Sequence, residues 1–459
     1  MTPLTILNAD TFILGEGESN AIPNRGFSPL TKDINLTKER GVLYFNETET
    51  DRGGATLTGN VIASTYDSGF LGNDVYLLDD DGAFYTLNGS TLTKRQTDST
   101  NSYVIGTSET EQFRGNLYAT SSTDIARLTA SDLTALDHDW WTNTRSHAAL
   151  ESSYRHPLET VEDTLYIGDK NKIHTWDDSA TVYNAISLPT SVNITSLRRH
   201  PDGQHLIAFC GVTANYSHAG GGGGLIYIID TVNLEWIREI KIEAQIEGSI
   251  NVGGVIYVTY GDKLGYFNGD GITYLKTLSS ATTYSHNLGS MEDMLLVRDG
   301  TEILAYGDLG KGKVFWRVAS NRTNSQDINN FIYKGDNKLL IAYSDGSSGG
   351  LLKEIDYDNA GTYGELVTNK IDFGSKVWIR KIVILHTETN GAGTSAFNVF
   401  SLDSEGDSTT IRNVSYSSKT VTETRIDTNI YTDYFQLKIT GSNDDIGYRR
   451  VVVFYESGE

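Results

Sequence analysis

The chain contains one cysteine, Cys210, with 3 methionines and 6 prolines in 459 residues. A lone cysteine excludes an intramolecular disulfide framework and any zinc site built on clustered thiolates. No run approaches the ~18 consecutive apolar residues of a membrane-crossing helix, so no membrane insertion is expected. The opening Met1-Thr-Pro-Leu-Thr-Ile-Leu-Asn-Ala-Asp10 has no basic stretch followed by an apolar one, and a secretory leader is not expected. Positive charge is also scarce: 37 Lys and Arg stand against 59 Asp and Glu, a net of −22. Phosphate binding needs clustered cations, so this balance argues against a protein held to nucleic acid by a broadly basic surface. Residues 365–459 carry 10 cationic and 13 acidic side chains, which leaves a net of −19 in the first 364.

What the sequence has in abundance is glycine, 46 residues, and tyrosine, 26. Helical periodicity is nearly absent. A different unit recurs: four to six β-branched and aromatic residues, a turn of Asp, Asn and Gly, then a second such run. In Val75-Tyr-Leu-Leu-Asp-Asp-Asp-Gly-Ala-Phe-Tyr-Thr-Leu87 the Asp-Gly pair supplies residues that tolerate the positive φ of a tight hairpin. The chain reads as all-β.

Aligning the first strand of each hairpin gives Val75-Tyr76, Leu117-Tyr118, Leu165-Tyr166, Leu206-Ile207, Ile256-Tyr257, Leu295-Leu296 and Leu339-Leu340, spaced by 42, 48, 41, 50, 39 and 44 residues. A period of about 40–45 residues with four short strands per unit is the signature of a β-propeller. Seven units cover 59–362, although degenerate repeats leave six or eight open. Arg199-His-Pro-Asp-Gly203, followed by Gln204-His-Leu-Ile-Ala-Phe209, resembles an inter-strand turn of propeller blades. Leu225-Ile-Tyr-Ile-Ile-Asp-Thr-Val-Asn-Leu-Glu-Trp236 resembles the strand pair that follows it. Cys210–Gly224, ending in five glycines, interrupts one hairpin and reads as a protruding flap, either a partner-contacting finger or a tolerated loop. Residues 1–58, with turn formers such as Asn20-Ala-Ile-Pro-Asn-Arg-Gly-Phe-Ser-Pro-Leu30, read as an extended N-terminal arm. Residues 363–459 hold at least five longer alternating strands and read as a C-terminal β-sandwich.

Each chemical candidate has a structural alternative. Asp79-Asp-Asp-Gly82 lacks the alternating oxygen ligands of a calcium loop and fits a turn, as do Asn268-Gly-Asp-Gly271 and Asp299-Gly300. Ser401-Leu-Asp-Ser-Glu-Gly-Asp-Ser408 resembles a sialidase Asp box, with one residue too many and no closing Trp. No His-Glu-x-x-His or His-x-His pair occurs. His200 and His205 flank a turn, and Asp137-His138 precedes Trp140-Trp141; spacing alone neither assigns nor excludes a metal there. Gly220–Gly224 precedes a strand rather than a helix and cannot cradle a phosphate in the usual way. Trp140-Trp141 suit either a sugar platform or a core. No catalytic, cofactor-binding or metal residue is assigned, no cofactor is implied, and the chain is read as a non-enzyme.

Ile371-Asp-Phe-Gly-Ser-Lys-Val-Trp-Ile-Arg-Lys-Ile382, Phe397-Asn-Val-Phe-Ser-Leu-Asp-Ser-Glu-Gly-Asp-Ser408, Tyr434-Phe-Gln-Leu-Lys-Ile-Thr-Gly441 and Arg449-Arg-Val-Val-Val-Phe454 resemble the C-terminal pattern of virion propeller proteins. With the order arm, propeller, sandwich, the chain resembles the tail nozzle, or packaged-DNA stabilisation (tail hub), proteins of short-tailed bacteriophages. The motif likeness covers about 80 residues, and the stretch Asp403-Ser-Glu-Gly406 departs from the family pattern. The resemblance implies a structural virion protein made in the host cytoplasm. It would self-associate as a ring, a hexamer in that family, beside an adaptor, a portal-proximal ring and fibres, with DNA in transient passage. Two rival functions stand beside it. One is a receptor- or glycan-binding propeller, which needs exposed Trp and Tyr on one face. The other is a glycoside hydrolase or lyase, which needs two carboxylates converging on the central channel.

Overall fold

The structure, a computed structural model, describes residues 1–8, 30–32, 34–35, 44–45, 50–52, 57–66, 75–104, 106–129, 133–212, 223–279, 287–308, 313–320, 327–344, 350–357, 365–368, 371–387, 394–402, 407–417, 422–442 and 448–457. Two compact units emerge: Asp51–Thr301 with Asn321–Glu354, and Met1–Thr50 with Glu302–Ser320 and Ile355–Glu459. No helix among the described residues is long and apolar enough to cross a membrane.

Seven four-stranded antiparallel sheets follow one another along the chain. Their innermost strands are Val61–Tyr66, Thr110–Phe113, Leu158–Val161, Asn193–Arg199, Gly248–Val252, Leu288–Met291 and Asp327–Tyr333. Each touches the next, and the seventh touches the first, so the blades close a ring. This is a seven-bladed β-propeller. The aligned apolar pairs of the sequence fall on the second strand of every blade, where Val75–Asp79 is buried throughout. Those strands lie between neighbouring blades and cannot show a polar face, which is why they read as continuous apolar runs. The outer strands do face solvent: Glu235–Ile242 of blade four is mostly exposed.

Blade seven is completed from the other end of the chain. Its strands Asp327–Tyr333, Lys338–Ser344 and Gly350–Asp356 receive Thr50–Asp51 as the fourth. The Arg52 N–H donates to Leu352 O at 2.9 Å, and the Arg52 guanidinium pairs with Glu354. Lys334 Nζ holds the other Glu354 oxygen at 2.8 Å. Two cations on one buried carboxylate oppose the upward push of burial and keep the Glu354 pKa below its usual value.

In the second unit one eight-stranded sheet runs Thr2–Asn8, Tyr448–Ser457, Ile371–His386, Glu423–Ser442, Glu365–Val367, Leu30–Lys32, with Thr394–Leu402 and Ser408–Ser417 branching from it. The 20-residue strand Glu423–Ser442 is shared. Its first part pairs with Ile371–His386, and its second part pairs with Thr394–Leu402 on one side and Glu365–Val367 on the other. Side chains from both parts, among them Ile382, Ile384, Phe397, Leu437, Tyr448 and Val453, form one buried cluster. The expected sandwich is not clearly separated into two sheets, because Glu423–Ser442 links both groups of strands. In the segment read as an N-terminal arm, Thr2–Asn8, Leu30–Lys32 and Thr50–Asp51 are strands in three different places, and the last belongs to a blade, which the reading as an arm did not foresee. Short strands gain stability by completing a neighbour's unpaired edge.

Candidate functional site in the central channel

The second residue of each aligned apolar pair faces an inner-strand partner, and those partners form one level of the channel wall. Tyr118 pairs with Glu111, Tyr166 with Glu159 and Ile207 with Arg198. Tyr257 pairs with Ile250, Leu296 with Gly289, Leu340 with Ile332 and Tyr76 with Thr65. Blades two to four thus contribute charge, and blades five, six, seven and one contribute apolar, small or hydroxyl side chains.

The charged side is tied together blade by blade. Arg198 donates through Nη1 to Glu159 Oε2 at 3.3 Å in blade three, and through Nε and Nη2 to Ser249 O at 2.9 and 2.6 Å in blade five. The Arg199 N–H donates to Glu159 Oε1 at 2.9 Å, and the Leu158 N–H to Glu109 Oε2 at 3.3 Å. Ser196 and Ser249 share a hydroxyl bond of 2.7 Å. Ahead of the inner strands, buried Arg155 reaches buried Glu247 at 3.1 Å, joining blades three and five.

Glu111 is half-buried and walled in by protein. Burial, then the charge of Glu159, pushes its pKa up to about 8, with Glu109 adding to the push and Thr160 and Arg198 opposing it. Glu159 is also raised by burial, but Arg198 and the Arg199 N–H favour its charged form. Both carboxyls are thus raised by burial, and Arg198 with the Arg199 N–H offsets part of that rise at Glu159.

On the opposite side a cavity of about 410 Å³ is lined by Tyr66, Ile250, Leu288, Phe331, Ile332 and Tyr333, among others. It adjoins a smaller one of about 140 Å³ that reaches Glu109 and Arg198, and the two share Ser64, Ile250, Leu288 and Phe331. Phe331 packs over Gly289, where an added Cβ would lie 2.8 Å from its ring. Such a space suits a small amphipathic molecule, with polar groups on one wall and an aromatic surface on the other.

The sequence candidates lie elsewhere. Asp79 is fully buried at a hairpin turn, its oxygens accepting from the Ala83 and Gly59 N–H groups and from the Thr58 and Tyr85 hydroxyls at 2.7–3.0 Å. Gly82, at φ 78°, turns the chain there. Asn268 Oδ1 accepts the Asp270 and Gly271 N–H groups in another turn, and Gly300 sits at φ 64° in a third. Trp140 and Trp141 are completely buried; Trp140 packs edge-on to Trp176 at 5.4 Å, so they serve the core rather than a sugar platform. Cys210 is buried, and burial pushes its thiol pKa up. Residues 213–222 of the flap and 403–406 of the Asp-box-like segment lie outside the described residues. Trp236 and Tyr274 are exposed on outer strands of blades four and five, and Tyr66 at the channel.

No family model matches the sequence, and no curated protein does. Among solved structures the chain is similar to Chaetomium thermophilum Raptor, at 12% identity and TM-score 0.46, over 67% of this chain and 29% of that one. It is similar to YCF48 bound to D1 peptide, at 10% identity and TM-score 0.45, over 69% of this chain and 99% of that one. It is also similar to the Myceliophteria thermophila Cps50 (Swd1) β-propeller domain, at 12% identity and TM-score 0.44, over 67% and 99%.

Proposed function

We propose that the chain is a non-enzymatic structural protein of a bacteriophage tail, a nozzle or hub subunit that self-associates as a ring. One observation carries the reading. The four segments that resemble virion propeller proteins fall on four strands of a single sheet, Ile371–His386, Thr394–Leu402, Glu423–Ser442 and Tyr448–Ser457. They are thus parts of one folded module rather than scattered likenesses. Its partners in this reading are adaptor, portal-proximal and fibre proteins of the virion, with DNA passing along the axis of the ring. The acidic balance of −22 repels phosphate, which lets DNA slide past without sticking. Native mass by light scattering tests the proposal. A ring of about six chains, alone or with portal-type partners, supports it. A monomer at every concentration, partners included, overturns it.

A second reading rests on Glu111 and Glu159. Two carboxyls of raised pKa that feel each other's charge are the kind of pair that glycoside hydrolysis or lyase chemistry uses as acid and base. Turnover of an oligosaccharide panel that disappears in Glu111→Gln would favour it over the structural role.

A further inference from the structure

The turn between the first two strands of blade four, His200-Pro-Asp-Gly-Gln-His205, presents a donor set that the channel does not use. Pro201 fixes its own φ, and Gly203, at φ 79°, turns the chain back. The Gly203 N–H donates to His200 O at 2.9 Å and the His200 N–H to His205 O at 2.8 Å, which holds the two imidazoles opposite each other. Asp202 Oδ1 accepts the N–H groups of Gln204 and His205 at 2.9 and 3.1 Å, so the carboxylate is oriented by its own backbone. Its other oxygen, Oδ2, lies 2.9 Å from His200 Nδ1 and 2.6 Å from His205 Nδ1. The three ligand atoms are within 4.8 Å of one another, and theirs is the one such group among the described residues.

We propose that this turn binds one divalent transition-metal ion, zinc in particular, through His200 Nδ1, Asp202 Oδ2 and His205 Nδ1. Zinc bonds of ~2.0–2.1 Å to nitrogen and oxygen set tetrahedral neighbours about 3.3 Å apart. The present spacings of 2.9 and 2.6 Å are shorter by about 0.4 and 0.7 Å, and it is the two imidazoles, 25 and 27% exposed, that would swing outward to admit the ion. Two imidazoles and a single carboxylate suit zinc, nickel or copper and not calcium or magnesium, which want oxygen. Three protein donors leave a coordination position open to water.

The test is calorimetric titration of Zn²⁺ into the full chain, free of any histidine tag and washed with chelator. One tightly bound ion per chain is expected, with no heat from Ca²⁺. Asp202→Asn and His205→Gln should each weaken zinc binding by roughly tenfold or more. No binding to the parent chain overturns the proposal, as does unchanged affinity in a His200→Gln/His205→Gln variant whose circular dichroism matches the parent. Cobalt substitution of the parent chain needs no variant: a strong four-coordinate visible absorption supports the site, and a weak six-coordinate spectrum overturns it.

Discussion

The two sides of the channel solve one problem with opposite chemistry. Blades two to four line it with Glu111, Glu159 and Arg198, while blades five to seven face them with Ile250, Gly289 and Ile332 at the same strand register. On the charged side inter-blade contact is specific and directional, since Arg198 touches blades three and five at once. On the apolar side it depends on how well Phe331 fills the space above Gly289. A propeller therefore tolerates either kind of seam, but the two should fail differently.

The sharpest break is Arg198→Met. It strands Glu159 and Ser249 O, and should cost roughly 3–5 kcal/mol of stability, read by thermal unfolding. Adding Glu159→Met should restore most of that loss, turning a charged seam into an apolar one; no recovery would mean that the charged wall cannot be replaced. Phe331→Ala, on the other side, should cost about 3 kcal/mol by opening a cavity, with no dependence on pH.

The pH response should belong to one wall alone. Glu111 keeps its proton to about pH 8 when folded and loses it near 4.5 when unfolded, so between those values the folded state binds more protons. Stability contributed by this group is full below about pH 4.5, falls by at most about 1.4 kcal/mol per pH unit between there and about pH 8, and is lost above that. Glu111→Gln should flatten that slope in denaturant titrations at a series of pH values. The smallest effect is expected from Ser64→Ala, which removes the 2.7 Å bond to Asn330 between blades one and seven and should cost about 1 kcal/mol.

Much of the ring was legible because its middle strands must be apolar on both faces. Their period, the Asp-Gly turns and the two turn-and-strand likenesses around Arg199 and Leu225 mark the blades without a structure. The channel was harder to read. Glu111 and Glu159 stand seven positions ahead of Tyr118 and Tyr166 in the sequence, so the signal existed. It became visible only when strand register showed that those positions share one level with Arg198. Charges gathered from different blades carry no local spacing, whereas His200, Asp202 and His205 sit within one turn and do. The short strand Thr50–Asp51 was not legible at all, because two polar residues form no pattern. The alternation that suggested a sandwich could not foresee that Glu423–Ser442 is long enough to serve both parts of its sheet.

That two-residue strand also governs the order of assembly. Arg52 and Glu354 meet across 302 residues of chain, so the ring stays an open coil until nearly all blades exist. The edge that strand completes, that of Gly350–Asp356, lies far along the chain, so this pairing has the longest sequence separation of any in the ring. An edge that takes a strand from so far along its own chain can equally accept it from another copy. Exchange of Thr50–Asp51 between molecules would give strand-swapped oligomers, read as a native mass that rises with concentration.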